Sequence, residues 1–181
     1  MKEEIAVSQC PRMLNPGPVV LVTSTLKGQP NIMTAAWSMA LSFNPTMVGV
    51  SIAPRRLTHE FIQKSEEFVL NVPTLRIMKQ VHYCGSVSGR NVDKFKESGL
   101  IPITPREVRA PLVEQCLAHI ECALVNAITI GDHTLFVGQV LSVQVEKDTF
   151  DNAWLLKEEE AKPLHNLGGR LYAVLDKPLS A

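Results

Sequence analysis

The strongest constraint on this chain is the alternation that runs through residues 118–146. Ala118, Ile120, Cys122 and Leu124 alternate with His119, Glu121 and Ala123. Gly131-Asp132 follows, a good hairpin turn signal. On the return, Leu141, Val143 and Val145 alternate with Ser142, Gln144 and Glu146. A period of two belongs to a half-buried strand, so residues 112–146 are expected to form a long antiparallel pair.

Further strands are expected at 19–25 (VVLVTST), 46–52 (TMVGVSI) and 67–73 (EFVLNVP), and Asn31–Trp37 reads as extended. The helical patterns are short. Leu57, Phe61 and Ile62 recur at helical spacing with Thr58 as an N-cap. Thr74 is expected to cap a second helix that carries Leu75, Met78 and Val81 and ends before Gly85. One or two helical turns are expected over 95–99. Strands and helices do not alternate at regular length, which argues against a doubly wound parallel sheet. The fold class expected is mainly β with peripheral helices, an antiparallel barrel. At 181 residues the chain is read as a single domain, 1–181, with its core at about 14–172.

Eighteen basic residues balance eighteen acidic ones. A nucleic-acid-binding chain normally shows a positive excess, so no nucleic-acid partner is expected, and any bound anion is small and met by local charges. The longest aliphatic runs are too short to span a bilayer, and no membrane partner is expected. The opening residues lack the layout of a signal peptide, so a cytoplasmic location is expected. The four cysteines form no CxxC pair, which suits free thiols. Cys116-x-x-His119-x-x-Cys122 has a metal-like spacing. Residues three apart on a strand face opposite sides, however, and no metal is expected there.

Two segments are ready for an anion. Arg55-Arg56 stands just before a helix start, where free N–H groups and the helix dipole favour negative charge. Residues 86–95, SVSGRNVDKF, gather Ser86, Ser88, Gly89, Arg90 and Lys94: hydroxyl donors, a backbone open to close approach, and two cations. There is no GxxxxGK[ST], so this is no P-loop. Taken alone, either segment also reads as an ordinary polar loop. Together they ask for a phosphorylated small molecule. Thr34, Ala35 and Ala36 leave room for a flat ring on the strand 31–37, although a strand edge packed by a neighbour explains them equally well. Asn71 sits inside an apolar strand and needs a partner, either ligand or backbone. His133, after the turn, reads as a rim residue within reach of a second substrate or as an exposed turn histidine. No Ser-His-Asp order or paired-carboxylate motif stands out.

The sequence resembles the flavin reductase-like family, the FMN-binding split barrels of Greek-key type that include flavoredoxins and archaeal ferric reductases. The matching stretches run in order: PGPVVLVTS (16–24), G-x-x-N-x-M-T-A-A-W (28–37), VSIAPRRLTHEFI (50–62), EFVLNVP (67–73), SGRNVDKF (88–95), ECALVNAITIGDHTLFVGQV (121–140) and LGGRLY (167–172). The resemblance implies FMN as cofactor, its ring against Asn31–Trp37 with Asn31, Thr34, Ala35, Trp37 and Asn71 beside ring and ribityl chain. It implies phosphate contacts at Ser51, Arg56, Thr58, Ser88, Gly89, Arg90 and Lys94, and His133 near the flavin face. It also implies electron transfer from NAD(P)H or a reduced electron-donor protein to free flavin, ferric iron or a partner, in a homodimer. Flavoredoxin-type electron transfer without pyridine-nucleotide activity, or a non-enzymatic barrel for a phosphorylated ligand, are the alternatives. Some relatives carry a cysteine beside the flavin; residues 11–83 here contain none.

Overall fold

The computed structural model describes residues 1–14 and 16–179; Asn15, Ser180 and Ala181, within the expected single domain, lie outside the described residues. In chain order the elements are α1 (Cys10–Leu14), β1 (Gly17–Pro18), β2 (Val20–Leu26), β3 (Gln29–Ala35), β4 (Ser38–Phe43), β5 (Thr46–Ile52), α2 (Leu57–Ser65), β6 (Glu67–Val72), α3 (Met78–Ser86), α4 (Lys94–Ser98), β7 (Pro102–Ile103), β8 (Leu112–Val113), β9 (Ala118–Ile130), β10 (His133–Val145), β11 (Phe150–Asp151), β12 (Ala153–Trp154), β13 (Leu164–Gly168) and β14 (Leu171–Val174).

Seven strands form one antiparallel sheet in the order β3-β2-β6-β9-β10-β5-β4. The β9–β10 hairpin separates β5 from β6, which gives the Greek-key order. The sheet does not close. Its two edges, β3 and β4, follow one another in sequence, and the chain between them is held to β5 where Ser51 N–H donates to Trp37 O at 2.9 Å. The fold is therefore the split form of the expected barrel.

Strand β2 and the residue before it are buried on both faces, as the continuous apolar run requires. Val20 and Val22 join Val50, Phe68 and Phe136 inside the curve of the sheet. Val19 and Leu21 face outward and are covered by Val81 and Cys84 of α3 and Phe95 of α4. The inner core leaves no slack at Gly138, where a β-carbon would lie 2.6 Å from Phe68 Cζ and 2.9 Å from Cys122 Cβ. We expect Gly138→Ala to lower stability by about 1–3 kcal/mol through overpacking, measured by urea unfolding.

Three local expectations change. Thr58 does not cap α2: Arg56 holds the N-cap position in extended backbone, and the Thr58 hydroxyl instead accepts from Asn31 Nδ2 at 2.7 Å. Helix α3 runs on to Ser86, so Gly85 lies within it rather than past its end. Thr74 precedes a 3-10 turn over Leu75–Ile77, but its side chain makes no capping bond; its backbone bridges to Pro163. Helix α4 is capped by Asp93, whose carboxylate accepts from Lys96 N–H at 3.2 Å, and it ends on left-handed Gly99. That cap fixes where Lys94 emerges.

Candidate functional site

Among the described residues β3 pairs only with β2, and no other strand meets the polar groups on its far side. Along that free side lies a shallow cleft of ≈ 190 Å³. Its floor is the run Met33–Trp37. Its opposite wall is Ser51–Ala53 with Arg55 and Arg56, and His133 stands at its rim. Trp37 and His133 pack with ring centroids 4.9 Å apart, and His133 Nδ1 is 2.7 Å from Asp132 Oδ1. Thr34 lines the cleft, while its hydroxyl donates to Val81 O on α3.

A smaller notch of ≈ 10 Å³ adjoins the cleft, with Met33 and Arg56 in both linings. Around it stand Asn31 of β3, Leu57 and Thr58 of α2, Val87–Gly89 and Lys94. The two anion-ready segments, some thirty residues apart in the chain, meet here. Gly89 lies so close to Asn31 that an added β-carbon would collide with Asn31 Oδ1. Gly89→Ala therefore displaces the carboxamide that holds Thr58. We expect it to weaken phosphate-ligand binding about tenfold while costing about 1–3 kcal/mol of stability, read by ligand titration alongside thermal unfolding.

Lys94 is 6% exposed, and its ammonium donates to Cys84 O at 2.7 Å. Burial lowers its pKa to about 8; the neighbouring Cys84 thiol opposes this shift and the Arg56 guanidinium adds to it. Neither the cleft nor the notch is lined by a carboxylate, although acidic and basic residues are equal in number over the chain. The pair of depressions is thus a local excess of cations and N–H donors beside a flat strand edge. Such a set suits a planar ligand with an anionic tail.

Two expected residues do not join the others. Arg90 is turned away from the notch, because Glu60, one turn into α2, accepts from its guanidinium at 2.8 Å. Asn71 is fully buried in an internal network. Its amide donates to Leu21 O at 2.9 Å and Thr23 Oγ1 at 3.2 Å, and its carbonyl accepts from Val113 N–H at 3.0 Å and His119 Nδ1 at 2.9 Å. The protein itself supplies the partner Asn71 needs. The expected positions Asn31, Thr34, Ala35, Trp37, Ser51, Arg56, Thr58, Ser88, Gly89, Lys94 and His133 all line the cleft or the notch. Sequence reading missed Met33, which floors both depressions, and Leu57 and Val87, which wall the notch. Met33 falls within the run Asn31–Trp37 expected to seat the ring, whereas no local pattern marks Leu57 or Val87 as site residues.

Other groups stand apart. His119 is buried on Asn71, and burial lowers its pKa. Cys116 and Cys122 are buried thiols whose pKa values burial raises, that of Cys122 to about 12. Among the described residues no cluster of three or more histidine, cysteine and acidic side chains is arranged to hold a metal ion, and no helix is long and apolar enough to cross a membrane.

Fold and site define a class, an open antiparallel barrel whose free strand edge runs into an anion cradle. The chain belongs to the flavin reductase like domain family, which matches residues 12–172. An uncharacterized protein of Pyrococcus abyssi is 41% identical over 140 residues, 77% of this chain and 80% of that one. An FMN-binding protein from Thermus thermophilus superposes with a TM-score of 0.86 at 29% identity, covering 100% of this chain and 99% of that one. A flavoredoxin of Desulfovibrio vulgaris (Miyazaki F) gives a TM-score of 0.84 at 27% identity over 100% and 97% of the two chains.

Proposed function

We propose that this chain is a single-domain FMN-binding oxidoreductase. The observation that carries the reading is Arg56. It borders both depressions, so one guanidinium stands between a seat for a flat ring and a cradle for a phosphate. Arg56, the protonated Lys94, the Ser88 hydroxyl and the backbone at Gly89 hold the phosphate; Asn31 and Thr58 brace that wall; Thr34–Trp37 and Ser51 border the ring. The residues present fit the group, since every charged side chain lining the two depressions is cationic. FMN supplies reversible hydride and electron transfer, while the protein provides position and electrostatics.

Trp37, at the end of the floor, packs on His133 at the rim of the cleft. The donor is NAD(P)H or a reduced electron-donor protein, and the acceptor is free flavin, ferric iron or a partner protein. His133 faces the side where these arrive. No side chain has to act as a nucleophile. The functional unit is a cytoplasmic homodimer. In support, Leu41, Ile128 and Ile130 are exposed on one face of the open sheet, around Leu135, an apolar patch suited to a second copy.

Purified protein tests the reading. A flavin absorbance spectrum after reconstitution with FMN, bleached by NADH or NADPH and restored by ferric chelate or free flavin, is the expected result. Bleaching only by a reduced protein or dithionite would favour the flavoredoxin reading, which the Desulfovibrio neighbour makes specific. A protein that stays colourless with FMN would end both.

A further inference from the structure

We propose that the cradle binds its phosphate together with one proton, taken up from solvent by Lys94, so that the chain releases its cofactor as the medium turns alkaline. The inference rests on the FMN reading above and adds a regulation to that same site.

The geometry is that of a cation placed to await an anion. Lys94 leaves α4 directly after its Asp93 cap, and its side chain is buried against α3, β3 and the start of α2. An ammonium has three donors, and among the described residues the one bond it makes is to Cys84 O. Among the described residues no carboxylate lies within 4.0 Å of it. Among the described residues two titratable groups act on it. From α3 comes the Cys84 thiol, and from the start of α2 the Arg56 guanidinium; β3 offers only Asn31 and Met33; the 87–89 turn offers no ionisable group. Glu60 is engaged by Lys64 and Arg90 on the outside of α2.

A buried charge with no counter-ion is costly. Without ligand, the burial of Lys94 and its neighbour Arg56 favour the neutral amine, and half the molecules carry it near pH 8. A phosphate dianion in the notch supplies the missing counter-charge and restores the ammonium. The sign follows. Between about pH 6 and pH 8 Lys94 is mostly charged with or without ligand, and affinity is nearly flat. Above it the ligand-free amine must first be protonated, and affinity falls about tenfold per pH unit. The phosphate's own second ionisation lies near 6, outside this window.

Calorimetric titration of the whole protein with FMN at about pH 9, in two buffers of different protonation enthalpy, reads the proton directly. We expect uptake of about one proton per FMN. Riboflavin, with the same ring and no phosphate, should take up none. Lys94→Arg keeps a charge that does not titrate, so proton uptake and the alkaline fall in affinity should both vanish; Lys94→Met should bind FMN more weakly and show neither. FMN binding without proton uptake in the unsubstituted protein, or uptake retained in Lys94→Arg, overturns the inference and leaves the cofactor assignment standing. No FMN binding at any pH removes the assignment, and the inference with it.

Discussion

Alanine at Glu121 is expected to cut the unfolding free energy by roughly 3–5 kcal/mol, a large share of the 5–15 typical of a domain. Glu121 has no solvent exposure. Its carboxylate accepts from three consecutive backbone N–H groups, of Arg106, Glu107 and Val108, at 2.7–3.2 Å, and from Gln144 Nε2 at 3.2 Å. Burial alone would raise its pKa, but these hydrogen bonds outweigh it and hold the group below the usual carboxylate value. Removing the carboxylate leaves buried donors without an acceptor, at about 1–3 kcal/mol each. The same bonds set a pH dependence. With a folded pKa depressed below the unfolded one, the stabilisation is complete above the unfolded value and is lost as pH falls through the folded one. Acid urea-unfolding curves should therefore fall more steeply for the unsubstituted protein than for Glu121→Gln. A loss below about 1 kcal/mol in Glu121→Ala would mean that water reaches the 106–108 backbone.

The second large effect concerns ligand rather than fold. Arg56→Ala should weaken FMN binding about ten- to hundred-fold, the equivalent of ~1.5–3 kcal/mol for one charged hydrogen-bonded contact, with riboflavin affinity little changed. Arg90→Ala is the comparison. Arg90 is half exposed and paired with Glu60, so its removal should change FMN affinity by less than about threefold, as exposed pairs contribute little. Equal losses in both variants, measured by quenching of flavin fluorescence, would place Arg90 in the cradle beside Arg56.

Sequence patterning made the framework legible where one physical rule dominates. The two-residue period around Gly131-Asp132 anticipated β9 and β10, and the short irregular helices excluded a doubly wound sheet. Arg56 was readable because a cation at a helix start has a local meaning that needs no tertiary context. Lys94 and Arg90, four residues apart, looked equivalent in the linear string. Their fates diverge because the Asp93 cap turns one inward and Glu60, thirty residues away, draws the other out. Asn71 announced its need for a partner, yet only strand register shows that β2, β8 and β9 meet that need. Glu121 raised no expectation at all. Alternation placed it with His119 on the polar face of a half-buried strand, and nothing in that pattern shows that residues 104–111 fold over this face. Pro105 and Pro111, which lie outside β7 and β8, are consistent with an extended covering segment rather than another strand.

The break between β3 and β4 has a thermodynamic corollary. Because consecutive strands form the two margins, the gap is spanned by covalent chain and guarded by Ser51 and Trp37, with no interstrand ladder across it. A guest arriving along β3 meets backbone amides that no neighbour owns, so none has to be unzipped to admit it. Loading and emptying can then proceed on a preformed framework, and the empty and filled proteins are expected to share nearly the same amide exchange pattern everywhere except along that margin and the notch beside it.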